Sequence, residues 1–316
     1  MTSGAVVARE GRLRWVVTGA GGQLGRCLVA RLHDDPRHGI AAAPGHAALD
    51  VGDPDAVRRA VLEAPEGRPD VVVNAAAMTQ VDRCESEPDR AERVNARGAG
   101  WVAEACREAG ARLVHLSTDY VFDGCGRRPY TEEDPTGPRS VYGRTKLEGE
   151  RRVLAACPDA LVVRTAWVFG PGRNFVRTLL EAARRARAGG PPLRVVDDQH
   201  GSPTWAGHLA DALVTLVEAD ARGIYHVAGS GTATWWDLAR AAVDAWGHPE
   251  LPIEKVGTQA FPRPAPRPAW SVLDLEKARR AGVRMPSWRE GLRAYLESEA
   301  SPLAAPAAHP MQGVVP

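Results

Sequence analysis

The chain has 316 residues, 44% of them hydrophobic, and 40 basic side chains against 39 acidic ones leave a formal net charge of +1. That length and apolar content can bury the core of two lobes or one large domain, while the near-neutral balance supplies no global field for nucleic acid or an anionic membrane. Five scattered cysteines without CxxC spacing fit a reducing compartment and argue against a cysteine-based metal site, and with neither an apolar leader nor a run of about 18 apolar residues, secretion and membrane spanning lack support and a cytoplasmic location is expected.

Residues 1–12 read as a disordered leader. Leu13-Arg14-Trp15-Val16-Val17-Thr18 then reads as a first strand, followed at once by Gly19-Ala20-Gly21-Gly22-Gln23-Leu24-Gly25 and a helical run to about Leu32. Strand, glycine turn and helix in that order give a backbone that can approach a pyrophosphate, with the helix N-terminus turned toward it. The spacing is GxxGxxG (Gly19, Gly22, Gly25) rather than GxGxxG. A second strand, Gly39 to Ala43, leads into Pro44-Gly45-His46, and no acidic residue follows until Asp50. An acid at that place would hold a ribose 2′-hydroxyl; without one, a 2′-phosphate is tolerated, which favours NADPH over NADH.

Asp70-Val71-Val72-Val73-Asn74-Ala75-Ala76-Ala77 is a third buried strand ending in small residues against which a flat cofactor could lie. An amphipathic helix over Glu87–Ala109 contains Asn95, and a fourth strand ends in Ser117-Thr118. About twenty residues rich in Gly and Pro (Asp119 to Arg139) follow, and a loop of that length in a compact domain is usually functional. Beyond it, Tyr142 and Lys146 stand four apart on a helical pattern, which puts phenol and ammonium on one face. A cation beside a phenol favours phenolate and lowers a pKa that starts near ~10, so the pair is a candidate general acid/base. The chain has only three lysines (Lys146, Lys255, Lys277) and otherwise uses arginine, which weighs against an ordinary surface pair.

Ala160–Thr165 is a fifth strand, running into Trp167 at its carboxyl end. Arg173-Asn174-Phe175 opens a helix, Leu193–Val196 reads as a strand, and Asp198-Gln199-His200-Gly201-Ser202-Pro203-Thr204 as a polar loop. Gly223–Val227 and a helix from about Thr234 follow. The Pro/Arg run Phe261–Pro268 is either a rigid linker or, through arginines such as Arg267, a clamp for a diphosphate. Residues 301–316 read as a disordered tail. Repeated strand–helix units imply an α/β fold, a Rossmann-type doubly wound parallel sheet with ligands at the carboxyl ends of its strands. Residues 13–168 would form the nucleotide-binding part, strands near 193–197 and 223–228 would return to it, and 169–300 would form a smaller substrate-binding lobe. No His, Cys or carboxylate cluster has metal-ligand spacing.

The glycine turn, Asn74-Ala75-Ala76-Ala77, Ser117-Thr118-Asp119-Tyr120-Val121-Phe122 and Tyr142-x-x-x-Lys146, in this order, resemble the extended short-chain dehydrogenase/reductases. Val81-Asp82-Arg83-Cys84-Glu85-Ser86-Glu87-Pro88, the 198–204 loop and Arg267-Pro268 narrow the resemblance to the dTDP-4-dehydrorhamnose reductases, over roughly residues 13–298. The resemblance implies reduction of the 4-keto group of a dTDP-linked 4-keto-6-deoxy sugar with NADPH or NADH. Tyr142 would be the proton donor, Lys146 would hold the nicotinamide ribose and Thr118 would bind the carbonyl oxygen. Gly19, Gly22, Gln23, Leu24, Gly25, Asp50, Val51, Ala75, Ala76, Ala77 and Asn95 would line the cofactor. Asp119, Trp167, Asn174, Gln199 and Arg267 would contact the substrate, and a homodimer is a family-level expectation. Met78 departs from the aromatic or His common after the alanines. A reductase of an antibiotic sugar such as dihydrostreptose, a nucleotide-sugar epimerase or dehydratase, and the non-catalytic regulatory subunit of methionine adenosyltransferase share parts of the pattern. Asp119-Tyr120 after Thr118, in place of Asp-Glu, speaks against a dehydratase.

Overall fold

The computed structural model describes residues 11–303. Most of the expected leader and tail lies outside the described residues. At the margins, the Arg12 guanidinium donates to the His38 carbonyl (3.2 Å) and Arg184 donates to the Pro302 carbonyl (2.8 Å).

Twelve strands occur among the described residues: β1 Leu13–Thr18, β2 His38–Ala42, β3 Val71–Asn74, β4 Arg112–Thr118, β5 Leu161–Thr165, β6 Val168–Phe169, β7 Leu193–Val196, β8 His200–Gly201, β9 Thr204–Trp205, β10 Gly223–His226, β11 Ala233–Thr234 and β12 Ile253–Val256. Six of them form one sheet in the order β10-β5-β4-β3-β1-β2, and every pairing in it is parallel. Alternation explains why apolar side chains lie on both faces of its strands. Trp15 and Val17 of β1 face one layer with Leu28, Leu209 and Leu213; Val16, between them, faces the other layer with Val57, Val102 and Ala103. Both faces are therefore covered by helices, as parallel sheets require. The chain passes from β1 outward to β2 and then back across to β3, so the sheet reverses between β1 and β3, and a crevice opens there at the carboxyl ends.

The expected return of 193–197 to this sheet does not occur. β7 pairs in parallel with β12 in a separate two-stranded sheet, whereas β10 does join β5. The pattern of β7 carries the reason. Leu193 and Val195 are buried while Arg194 is exposed, the half-buried alternation of a satellite strand; the central sheet takes in the guanidinium of Arg164 in β5 against the buried carboxylate of Glu150, and Arg194 pairs instead with the exposed Glu254 of β12. β7 packs instead with the helices Phe175–Arg187, Trp235–Ala245 and Trp288–Glu297 around Leu180, Leu238 and Tyr295. β8 pairs with β11 and β6 with β9, stitching this smaller layer to the chain leaving β5.

The glycine- and proline-rich segment after β4 contains a single 3₁₀ turn, Asp119–Val121, and then lies along residues 268–274. Tyr130 donates to the Val272 carbonyl (2.8 Å), and Asp274 donates to that of Tyr130 (2.7 Å). Gly124 has φ +76°, and a Cβ there would stand 2.6 Å from Pro268. The segment is thus a clasp between the two layers. Among the described residues no helix is long and apolar enough to cross a membrane.

Candidate active site

A cavity of about 1050 Å³ fills the crevice. Its cofactor end is built largely from backbone. Gly19 adopts φ +70°, and a Cβ there would come within 2.8 Å of the Ala75 carbonyl carbon and the Ala76 nitrogen. Gly22 donates to the Gly19 carbonyl at 2.9 Å, and Gly25 presses against Gly19 and Ala20 so that the helix Gln23–His33 starts directly over the turn. No side chain caps that helix and its first turn has no acid, leaving its N-terminus open to an anion. Gln23, Leu24, Asp50, Val51, Ala75, Ala76 and Ala77 line the same cavity, as do Arg26 and His46. Asp50 accepts from Gly52 N (2.8 Å) and from Arg93 (2.9 Å).

The other end is built from side chains. Ser140 caps the helix Val141–Ala156 by accepting from Gly143 N, which fixes Tyr142 in the first turn. The Tyr142 ring meets Tyr120 edge-to-face at 5.5 Å. Thr118 ends β4, donating to Asp119 Oδ1 (2.9 Å) and accepting from Tyr120 N (3.2 Å). Burial pushes Asp119 up to about 6, with the hydroxyls of Ser271 and Thr118 pulling the other way. The Lys146 ammonium donates to the Leu116 carbonyl at 2.6 Å. One turn further on, Glu150 binds Arg164 through two hydrogen bonds (2.9 and 2.8 Å) and accepts from Ser117.

This geometry corrects the expectation that Lys146 lowers the phenol's pKa. Burial instead pushes Tyr142 above its ordinary value, with the Thr118 hydroxyl opposing the shift and Asp119 adding to it, while the lysine donates to a strand carbonyl. Lys146 itself is lowered to about 8 by burial, against the pull of Glu150. At neutral pH Tyr142 is a protonated phenol beside Thr118, poised to donate rather than to abstract.

Thr118, Asp119, Tyr142, Lys146, Trp167 and Asn174 all line the cavity, but the expected roles of four site residues change. Asn95 sits fully buried in a π-helical stretch, Glu92–Arg97, within the expected helix. It accepts from Met78 N (2.8 Å) and donates to Met78 O (3.1 Å), so it pins the chain after the alanines and does not line the cavity. Asn174 caps the helix Phe175–Arg187 through Arg177 N, and its amide donates to the carbonyls of Gly170 and Gly172 and to Tyr295 Oη; both of its amide protons are spent within the protein. Gln199 donates to Thr258 (2.9 Å) and accepts from Trp235 (3.1 Å), behind the cavity wall. Arg267 pairs with Asp82 at 2.7 Å and lines a separate cleft of about 130 Å³ with Arg139. Among the described residues no three His, Cys, Asp or Glu side chains are placed to hold a metal ion, and the five cysteines are free thiols.

The family described as RmlD substrate binding domain matches residues 13–301. The dTDP-4-dehydrorhamnose reductase of Mycolicibacterium smegmatis is 46% identical over 292 residues, 89% of this chain and 84% of that protein. The chain belongs to the RmlD family. A probable dTDP-4,6-dihydroxy-2-methyloxan-3-one 4-ketoreductase of Streptomyces antibioticus is also 46% identical, over 94% of this chain and 98% of its own. The solved structure of dTDP-4-dehydrorhamnose reductase from Bacillus anthracis in complex with NADP is 34% identical, with a TM-score of 0.83 over 90% of this chain and 99% of that one.

Within this RmlD-family chain, the 81–88 motif has a structural role that sequence reasoning did not supply. Asp82 holds the 265–267 segment, accepting from Ala265 N and Arg267, and Glu85 accepts from Val141 N at 2.8 Å, anchoring the start of the helix that carries Tyr142. Among the cavity residues that sequence reasoning missed are two large aromatics, Tyr120 and Trp235. Tyr120 follows the Thr-Asp pair directly, and Trp235 opens a helix in a Trp-Trp doublet; the only signal either gives in sequence is a large aromatic at an element boundary.

Proposed function

We propose that the protein reduces the C4 ketone of a dTDP-linked 4-dehydro-6-deoxy-L-hexose with NADPH or NADH. The observation that carries this reading is a neutral phenol, Tyr142, beside the Thr118 hydroxyl, in the same cavity as a side-chain-free glycine turn. The cradle fits a dinucleotide: the backbone at Gly19 lies so near Ala75–Ala76 that even a methyl group would collide, and the uncapped helix behind it offers N–H groups to a pyrophosphate. Bound there, the reduced nicotinamide supplies the hydride for C4.

The chain's own residues do the rest. Thr118 and Tyr142 donate to the ketone oxygen, stabilising negative charge as it develops, and Tyr142 delivers the proton. Lys146, on the same helical face, holds the nicotinamide ribose and tethers the helix to β4. Asp119 accepts a hydroxyl of the sugar. Trp167 forms the wall of the hexose pocket. Residues 13–168 serve the cofactor and 169–300 mainly the substrate, in a cytoplasmic enzyme. The lack of a carboxylate between Ala42 and Asp50, with Arg26 and His46 facing the cavity, favours NADPH through the 2′-phosphate.

The test is oxidation of NADPH and of NADH, followed by absorbance, with dTDP-4-dehydro-6-deoxyglucose and a 3,5-epimerase as the source of substrate and mass spectrometry of the product. A product two hydrogens heavier, formed faster with NADPH, is expected. Cofactor binding without turnover would shift the substrate to another keto sugar, the relative from Streptomyces antibioticus giving a specific reason to try one lacking a further ring hydroxyl. No turnover with any of these would leave a binding role.

A further inference from the structure

Trp167 is one of two non-glycine residues with positive φ among the described residues, at +48°. A left-handed conformation is disfavoured for an L-residue, and for a bulky side chain it persists only where the surroundings dictate it. Those surroundings are on both sides of its ring. The indole of Trp235 lies face to face with that of Trp167, centroids 3.6 Å apart and planes 3° from parallel. At its edge, Gly201 leaves room that a Cβ would take from the ring itself. A full face-to-face overlay is the arrangement that ring quadrupoles favour least, so the pair is held by the fold rather than by mutual attraction.

Trp235 is the fixed member. It begins the helix Trp235–Ala245 under a capping box made by Thr234 and Asp237. Its indole N–H donates to Gln199, which donates to Thr258, whose hydroxyl donates in turn to Asp198 (2.6 Å). The Phe175 ring supports it from the side at 4.7 Å. Trp167 belongs to the chain leaving the central sheet, Trp235 to the smaller layer, and both line the cavity.

We propose that Trp235 is a specificity-determining residue: by backing Trp167 it fixes how far that indole projects into the cavity, and so which ring substituents a keto sugar can carry. This rests on the reading of the cavity as a nucleotide-sugar reductase site. The class excluded is the nucleotide-linked 4-keto sugar with a bulky substituent, such as an acylamino group, on the carbon that meets Trp167. Removing the backing ring lets Trp167 relax away from the sugar, weakening the compact substrate and admitting the larger one.

The experiment compares wild type, Trp235→Ala, Trp235→Phe and Gln199→Leu, using NADPH with the unsubstituted dTDP-4-keto-6-deoxyhexose and with its acylamino analogue. The expected result for Trp235→Ala is a KM for the unsubstituted sugar raised by about tenfold, from the looser placement of Trp167, with kcat lowered less and the preference between the two sugars narrowed or reversed. NADPH affinity should hold, and circular dichroism should lose the couplet that two stacked indoles produce. Trp235→Phe should recover most of the discrimination, and Gln199→Leu should lose part of it while keeping both rings. If wild type turns over the sugar and Trp235→Ala, binding NADPH normally, keeps the same KM and preference, the proposal is overturned while the reductase reading stands. If wild type turns over neither sugar, the reductase reading fails first and takes this one with it.

Discussion

The two ends of the cavity are made in opposite ways. At the cofactor end the decisive atoms are backbone, and the sequence contributes by withholding side chains: Gly19 meets Ala75–Ala76 across a gap that no Cβ could enter. At the reacting end the decisive atoms are buried side chains whose ionisation is set by their neighbours. Tyr142, Lys146 and Asp119 are all moved from their usual pKa by burial first. One end therefore discriminates by shape and the other by protonation, and perturbing each should leave a different kinetic signature.

The sharpest division is expected from Tyr142→Phe. It removes the proton donor, made useful mainly in the transition state, so kcat should fall by about 10²–10⁴ while NADPH affinity, measured by fluorescence titration, stays near wild type. Unchanged kcat would sink the assignment. Gly19→Val should do the reverse. Its side chain at φ +70° is strained and displaces Ala75–Ala76, so NADPH should bind about ten- to a hundredfold more weakly, at 1.4 kcal/mol per tenfold. Turnover at saturating cofactor should be reduced far less than in the tyrosine variant.

The pH dependence of kcat/KM separates the two ends again, with effects of about tenfold per pH unit beyond each limb. Below about 6 Asp119 takes up a proton and no longer accepts a sugar hydroxyl, so activity falls toward acid. Above about 8 Lys146 loses its charge and activity falls toward base. Tyr142, held above its usual value, stays protonated across that window and does not produce the basic limb. Asp119→Asn should flatten the acid limb and leave the basic one in place. A basic limb near ~10, the ordinary phenol value, would return that limb to the tyrosine.

The same division explains what could be read from sequence. The glycine turn, the apolar strands and the Tyr142/Lys146 spacing are local patterns, and each announces its geometry within a few residues. The reacting end depends on partners far apart in the chain: Asp82 with Arg267, Trp167 with Trp235, Gln199 with Thr258. No periodicity links such pairs. Arg267 and Gln199 are expected as substrate contacts from the family resemblance of their loops, and each has a protein partner in the structure. The placement of Leu193–Val196 in the central sheet was a different error: Leu161–Thr165 also carries an arginine, buried in that sheet against Glu150, so only the long-range partners, Glu150 for Arg164 and Glu254 for Arg194, separate the two strands. Asn95 misled because a polar residue in a helix near the site resembles a ligand contact, whereas the π-helical stretch turns it inward to Met78.

Asn174 offers the smallest and most discriminating test of this distinction. Its carbonyl accepts from Arg177 N at 3.0 Å, and its amide donates to Gly170 O at 2.6 Å and to Tyr295 Oη at 2.8 Å. If these bonds are its purpose, Asn174→Ala should lower stability by about 1–2 kcal/mol, the upper range for loss of an N-cap, read from the urea midpoint. Asn174→Asp keeps the cap acceptor but turns a carboxylate oxygen toward the Gly170 and Gly172 carbonyls, so it should destabilise at least as much despite the conserved shape. In both variants KM for the sugar should move less than the midpoint implies, because the side chain has no free donor to give a substrate. A raised KM in Asn174→Asp with an unmoved midpoint would instead mean that the substrate recruits this amide, placing Asn174 with the binding wall rather than with the scaffold beneath it.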